Sequence, residues 1–290
     1  MNIIILYLLI ISSIFLLLLF NFIEKRTLKL IHWNPHYQCF EKSSNCCDNT
    51  IEKFLNKNIK KTDFLSLILF EDFNIDSRYK NNNNLYKFNK DYKLIKNFST
   101  NENESDVIIL AYNKRWIPTS NPILGNFLKP AGRPYIIQTF KNQNKIITVI
   151  VCYFPHPSQL KLNSILEELK TQINKIGNIN KIVFMADTNL TFKTKNCEIL
   201  KNITNNNSNL VEFDNKLPSC CNDNNGLIYK PDRIFTNFGT FKSQINYNLN
   251  KLLNNNNCKY TKSKKTWTAN STMAEGVKEM HIPLILNIKY

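Results

Sequence analysis

Several of the most apolar runs in this chain stop on a side chain able to bind a cation or a phosphate, and that recurrence limits the folds open to it. The run 64–70 ends at Glu71, and the run 182–186 ends at Asp187 with Asn189 two positions on. The alternating stretch 27–33 ends at Asn34-Pro35, Asp232 leads into Ile234-Phe235, and His281 leads into 282–288. Short apolar runs bounded by turn residues read as strands buried in a sheet. A polar group at the end of such a strand lies at the rim of the sheet, where ligand sites gather in α/β folds. The chain therefore reads as a layered sheet protein with its chemistry at strand ends.

The remaining periodicity supplies the other layers. Residues 48–58 carry Ile51, Phe54 and Leu55 at helical spacing, with Asp48 or Asn49 as the cap. Residues 160–176 place Leu162, Ile165, Leu166, Leu169 and Ile173 along one side of a second helix. Further strands are predicted at 107–112, 134–140 and 146–153, the last two joined by the polar turn 141–145. Residues 74–105 are polar, with room for one strand, and the Asn-rich stretches 202–209 and 254–257 read as loop insertions. Strands alternating with helices early and strands dominating late suggest an α/β sandwich with a mixed sheet. No repeat or linker divides residues 28–290, which read as one domain.

Composition narrows the partners. The chain has 290 residues and a formal charge of +16, with a pI of 9.4. A basic balance favours a polyanion: nucleic acid, an anionic membrane surface or a phosphorylated lipid. The abundance of Lys, Asn and Ile equally fits an AT-rich genome. Glycine occurs 6 times, and neither a dinucleotide-binding glycine fingerprint nor a P-loop signature is present, which excludes those classes. No C-x2-C spacing supports a zinc site.

Residues 1–20 lack any charged side chain, a length able to cross a bilayer as a helix. No small-residue cleavage pattern follows, so we expect a single-pass membrane anchor or uncleaved signal at 1–20 in preference to a removed signal peptide, and a basic junction at 21–27. Lys25, Arg26 and Lys29 would keep the main domain in the cytosol by the positive-inside rule. The 8 cysteines, among them the adjacent pairs Cys46-Cys47 and Cys220-Cys221, suit an oxidising compartment instead. So do the glycosylation sequons at Asn97, Asn103, Asn189, Asn202, Asn206 and Asn270. The side of the membrane stays open.

The strand-end residues have a consistent chemistry. A hard divalent cation takes oxygen ligands, commonly one or two carboxylates plus phosphate and water. Glu71 and Asp187 are of that type, while Asn34 and Asn189 can orient a carboxylate or donate to phosphate. Asp232 and His281 form the pair needed to orient and activate a water.

In this order the segments resemble the endonuclease/exonuclease/phosphatase superfamily, which includes deoxyribonuclease I, abasic-site endonucleases, inositol polyphosphate 5-phosphatases and sphingomyelinases. Leu28-Lys-Leu-Ile-His-Trp33-Asn34 looks like its opening strand, and Asp63-Phe-Leu-Ser-Leu-Ile-Leu-Phe-Glu71 like the strand ending in its metal-binding glutamate. Met185-Ala186-Asp187-Thr188-Asn189 is similar to Gly-Asp-Phe-Asn, Pro231-Asp232-Arg233-Ile234-Phe235 to an Asp-Arg-Ile segment, and His281-Ile-Pro283-Leu284 to the end of Ser-Asp-His-x-Pro. Gly132-Arg133-Pro134 before two strands suits members that read Gly-Arg-Pro there.

The resemblance implies a four-layer αββα sandwich of the deoxyribonuclease I type and metal-dependent hydrolysis of a phosphate ester by in-line attack of water. Glu71 would hold Mg²⁺ (or Mn²⁺) with Asn34. Asp187 and Asn189 would contact the attacking water or the phosphate, and Asp232 would orient His281 as base. Two positions depart from the pattern. Tyr153 stands where the family has a phosphate-binding histidine, with His156 three residues on, and Met280 replaces an aspartate, with Glu279 before it. Tyr153, His156 and Arg133 are then the candidates for substrate contact. The expectation is a membrane-anchored phosphodiesterase acting on nucleic acid, with weakened activity. The alternatives are a phosphoinositide or sphingolipid phosphoesterase, and a catalytically silent binding module that keeps the fold.

Overall fold

The computed structural model describes residues 7, 10–13, 27–35, 44–70, 90–100, 106–127, 132–155, 162–177, 179–190, 203, 210–213, 219–223, 226–246, 281 and 283–290. Strand β1 (Thr27–Trp33) places Leu28 and Leu30 on one face and Ile31 and Trp33 on the other. Helix α1 (Ser44–Asn58) and a short 3-10 turn (Ile59–Lys61) carry the chain over to β2 (Phe64–Phe70), which lies parallel to β1. Parallel neighbours need a crossover of this kind. The helix begins four residues before the expected 48, at Ser44, because the apolar periodicity that marks it starts only at Ile51.

Strands β3 (Tyr92–Phe98) and β4 (Asp106–Asn113) extend this sheet by antiparallel pairing. The C-terminal strand β15 (Leu284–Lys289) inserts beside β1, and β14 (Thr240–Asn246) closes the other edge. The order is β14-β15-β1-β2-β4-β3. Insertion of β15 at the centre brings the residues preceding it next to those that follow β1.

The second sheet is built on the hairpin β7 (Pro134–Asn142) and β8 (Lys145–Tyr153), whose tight turn holds Gln143 at φ 53. Helix α2 (Leu162–Asn174) then leads to β9 (Ile182–Asp187), parallel to β8. Strand β13 (Asp232–Thr236) pairs antiparallel with β9, and the short β10 (Val211–Glu212) pairs with β13. Strands β5 (Ile117–Pro118) and β6 (Ile123–Asn126) both pair with β7, and β11 (Cys220–Asp223) with β12 (Gly226–Tyr229) forms a separate ribbon.

Three cores fill the layers. Ile51, Phe54, Leu55 and Ile59 pack with Ile31, Trp33 and Leu67 on the outer face of the first sheet, Trp33 meeting Phe54 edge-on at 4.7 Å. Ile165, Leu166, Leu169 and Ile173 pack with Ile150, Cys152 and Phe184 on the outer face of the second. Between the sheets, Leu28, Leu30, Ile68 and Leu286 face Val149, Val151, Val183, Met185 and Ile234. The arrangement is the four-layer αββα sandwich expected. Among the described residues no helix is long and apolar enough to cross a membrane. The run 1–20 lies outside them apart from Tyr7 and residues 10–13.

Candidate active site

The inter-sheet core ends in polar residues. Asp187 closes β9 and is the register partner of Asp232 on β13 and of Tyr153 on β8. Residues opposite one another in a ladder face the same side, and alternation along each strand aligns them with Met185, Ile234 and Val151 of the inter-sheet core. From the first sheet, Asn34 follows β1 and His281 precedes β15, adjacent because β1 and β15 pair. Each sheet supplies half of the cluster.

The halves touch. The Asn34 amide donates to Asp187 Oδ2 at 2.6 Å. His281 Nδ1 lies 2.7 Å from Asp232 Oδ2 and 3.9 Å from Asp187 Oδ2. Trp33 adds a backbone anchor, its indole N–H donating to the His281 carbonyl at 2.8 Å. Ser219 Oγ donates to Asp232 Oδ2 at 2.8 Å and accepts the Asp232 backbone N–H at 3.2 Å. Asn34, Asp187, Ser219, Asp232 and His281 are all buried, none more than 3 % exposed.

The segment after β9 is a turn pinned on both sides. The Asp187 carboxylate accepts the Asn189 backbone N–H at 2.9 Å, an Asx turn that places Asn189 at φ 50, a conformation asparagine tolerates. Asn189 Nδ2 donates to the Phe154 carbonyl at 2.7 Å, so that atom ties the turn to the end of β8. Thr188 donates through both its N–H and its hydroxyl to the Pro231 carbonyl, at 2.8 and 2.9 Å, tying the turn to the start of β13. Asp187 is thereby fixed before any ligand arrives.

Burial and mutual charge set the protonation preferences. For Asp187, burial and then the charge of Asp232 raise the pKa above the usual carboxylate value, against His281, the Asn189 N–H and Asn34. For Asp232, burial acts upward, but the charge and hydrogen bond of His281, helped by His32, hold the carboxyl well below its usual range. For His281, burial acts downward, and the charge and hydrogen bond of Asp232, then the charge of Asp187, carry the pKa above the ordinary histidine value. Asp232 and His281 form a charge-matched pair, and at Asp187 the neighbours offset only part of the cost of a buried carboxylate.

A divalent cation would offset that cost. Asp187, Asp232 and His281 offer ligand atoms within 4.8 Å of one another, and the two carboxylates supply the oxygen that Mg²⁺ or Mn²⁺ prefers. The donor set fits such an ion.

Of the residues singled out in the sequence, Asn34, Asp187, Asn189, Asp232 and His281 come together, with Tyr153 in register beside Asp187. Arg133 lies against Tyr153, its guanidinium 3.8 Å from the ring centroid, with Nη1 donating to the Phe154 carbonyl at 2.9 Å and Nε 3.5 Å from Asp106. Glu71, His156, Glu279 and Met280 lie outside the described residues. Sequence reasoning passed over His32, Ser219 and the indole of Trp33. The available signal for His32 was its parity, since a strand residue two before Asn34 shares its face. Ser219 carried none.

No family model matches the sequence, and no curated protein matches it. Solved structures do. An endonuclease/exonuclease/phosphatase from Bacteroides vulgatus is 14% identical with a TM-score of 0.62, covering 91% of this chain and 99% of that one. The fold is that of the endonuclease/exonuclease/phosphatase proteins. ANGEL2, a 2′,3′-cyclic phosphatase, shares this fold at 11% identity and a TM-score of 0.65, over 91% of this chain and 95% of that one. A humanized D. rerio TDP2 shares it at 12% identity and a TM-score of 0.56, over 91% and 99%. The endonuclease/exonuclease/phosphatase fold places the Asp187 and Asp232 strands side by side; what they do there has to be argued from the side chains themselves.

Proposed function

We propose that this chain hydrolyses phosphodiester bonds with the help of Mg²⁺ or Mn²⁺, its substrate being nucleic acid. The observation that carries the reading is the buried Asp232–His281 pair at 2.7 Å, set beside an Asp187 carboxylate that Asn34 holds from the opposite sheet. The fold, shared with a protein named as a 2′,3′-cyclic phosphatase, supports a phosphoester substrate. The charge of +16 supports a polyanionic one.

In this reading His281 takes a proton from the attacking water. Asp232 on Nδ1 fixes the tautomer, strengthens the base and stabilises the imidazolium that forms. The water oxygen bonds to phosphorus, the ester P–O bond opposite breaks, and the leaving oxygen is protonated from solvent. Asp187, Glu71 and Asn34 would hold the cation, which would supply charge neutralisation to the phosphate ester. Asn189 keeps Asp187 in place. Arg133 over Tyr153 supplies the positive charge that the missing histidine would have given, with His156 as a further contact. Because Tyr153 and Met280 depart from the family pattern, turnover is expected to be slow. Residues 1–20 would anchor the protein to a membrane as a single pass, which favours a second reading, a phosphoinositide or sphingolipid phosphoesterase.

The test is hydrolysis by the full chain in detergent. Single- and double-stranded DNA, RNA, and vesicles of phosphoinositide or sphingomyelin are each supplied with Mg²⁺, Mn²⁺ or EDTA. Cleavage of nucleic acid that needs the metal and falls at least about 100-fold in His281→Ala and Asp187→Ala supports the reading. Turnover of the lipids alone selects the second. Activity untouched by Asp187→Ala would remove the site assignment, and no activity with no metal bound would leave a silent binding module.

A further inference from the structure

His32 is fully buried in a strand whose other inward-facing residues, Leu28 and Leu30, are aliphatic. An imidazole in such a core is costly unless its nitrogens are satisfied. Its Nδ1 lies 3.0 Å from the Ser66 hydroxyl, its register partner on β2. Its Nε2 points across the gap between the sheets and lies 3.3 Å from Asp232 Oδ1. That contact is off the hydrogen-bonding axis, and neither atom has another hydrogen-bond partner. The second oxygen of the carboxylate, Oδ2, is the one that receives His281 and Ser219.

We propose that His32 is a positioning residue, which holds Asp232 Oδ1 from the first sheet so that Oδ2 stays aimed at His281. The donors run one way along the chain of groups. The Ser66 hydroxyl donates to His32 Nδ1, which leaves the ring proton on Nε2 facing Asp232 Oδ1. Ser219 and His281 donate to Oδ2. Oδ2 then has two donors and Oδ1 faces the Nε2–H at 3.3 Å, so turning the side chain about its last torsion would break contacts on both sides. The tether also crosses between the sheets, from β1 to β13, so it fixes their separation at the end where His281 must meet Asp232. His32 touches neither substrate nor metal; it acts through Asp232. The functional part of this inference rests on the phosphodiesterase reading, and the positional part does not.

The experiment compares the full-length wild type with His32→Leu, His32→Gln and Ser66→Ala. A glutamine amide reaches the place of Nε2 and restores a donor there, whereas leucine fills the volume without one. The first readout is proton NMR of the hydrogen-bonded His281 Nδ1–H without substrate, assigned through its loss in His281→Ala. It is expected in the wild type and His32→Gln, broadened or lost in His32→Leu, and weakened in Ser66→Ala. The second is nucleic-acid hydrolysis, in which His32→Leu lowers kcat about 10–100-fold with KM unchanged, and His32→Gln recovers most of it. If His32→Leu fails to fold, Ser66→Ala and His32→Gln carry the comparison. An unchanged His281 proton in His32→Leu, or equal losses in the leucine and glutamine variants, would overturn the proposal. A wild type without hydrolytic activity whose His281 proton still follows the leucine–glutamine pattern would keep His32 as a positioning residue and remove the phosphodiesterase reading.

Discussion

Asn34 shows how much one amide can decide. Its donation to Asp187 Oδ2 at 2.6 Å is one of the few interactions that lower a carboxylate otherwise pushed up by burial and by Asp232. Asn34→Ala removes that donor and is expected to destabilise the protein by about 1–3 kcal/mol, the usual cost of leaving a buried acceptor short. Asn34→Asp is expected to cost more, since it sets a third carboxylate against two that are already crowded. Urea denaturation in EDTA checks the order; an aspartate variant as stable as the alanine variant would contradict it. Of the six asparagines in glycosylation sequons, two among the described residues have amide nitrogens that are engaged. Asn97 Nδ2 donates to the Gly125 and Tyr135 carbonyls at 2.7 and 2.9 Å, and Asn189 Nδ2 to Phe154. A glycan would have to displace these bonds, so peptide mass spectrometry of protein made in a secretory host is expected to find both asparagines bare. Residue type made Asn34, Asp187, Asp232 and His281 readable in advance, because acids, amides and histidines at strand ends stand out from apolar neighbours. His32 did not stand out, being inside the strand, and its meaning came only from the opposite sheet.

Strand β1 is the element on which the site depends most. Its inward face presents Leu28, Leu30 and His32 to the second sheet, its outward face presents Ile31 and Trp33 to α1, and its end delivers Asn34. Trp33 joins these roles, filling the outer core against Phe54 while its indole N–H holds the carbonyl of His281. Trp33→Phe keeps most of the apolar volume and removes the donor. It is expected to lower stability by about 1 kcal/mol and to reduce kcat without raising KM, since His281 would lose its backbone anchor. A phenylalanine variant with unaltered kcat would show that the imidazole contacts alone position the residue. Strands β1 and β2 were legible to the residue, since turn residues bound their apolar runs. Strand β14 was not expected. Its Thr240–Asn246 sequence lacks a strong alternation, and it forms at the sheet edge by pairing with β15. Edge strands take their structure from the neighbour's open hydrogen bonds, a cause that lies outside their own sequence.

For the molecule as a whole, the two sheets meet at a rim where the described structure gathers two carboxylates and a histidine without exposing any of them. Buried like charges weaken a fold unless a counter-charge answers them. His281 answers Asp232 directly, whereas at Asp187 the charge of His281, the Asn189 N–H and Asn34 leave part of the cost standing, which an external cation would offset. The sandwich should therefore be more stable with Mg²⁺ or Mn²⁺ than with EDTA, by the free energy of binding to the folded state alone. At a concentration 100 times the dissociation constant that linkage amounts to about 2.7 kcal/mol. The gain should shrink or vanish in Asp187→Ala, which removes one of the carboxylates that would hold the ion. It should survive in Asn189→Ala, whose lost side-chain bond goes to the Phe154 carbonyl while its backbone N–H still serves Asp187. Differential scanning calorimetry of the full chain across a metal titration measures all three proteins. A metal-induced rise in Tm that persists undiminished in Asp187→Ala would place the ion elsewhere, and no rise in the wild type would mean that the fold tolerates the carboxylate pair by itself. The second result would turn the rim into a binding surface and the sandwich into a scaffold without hydrolytic chemistry.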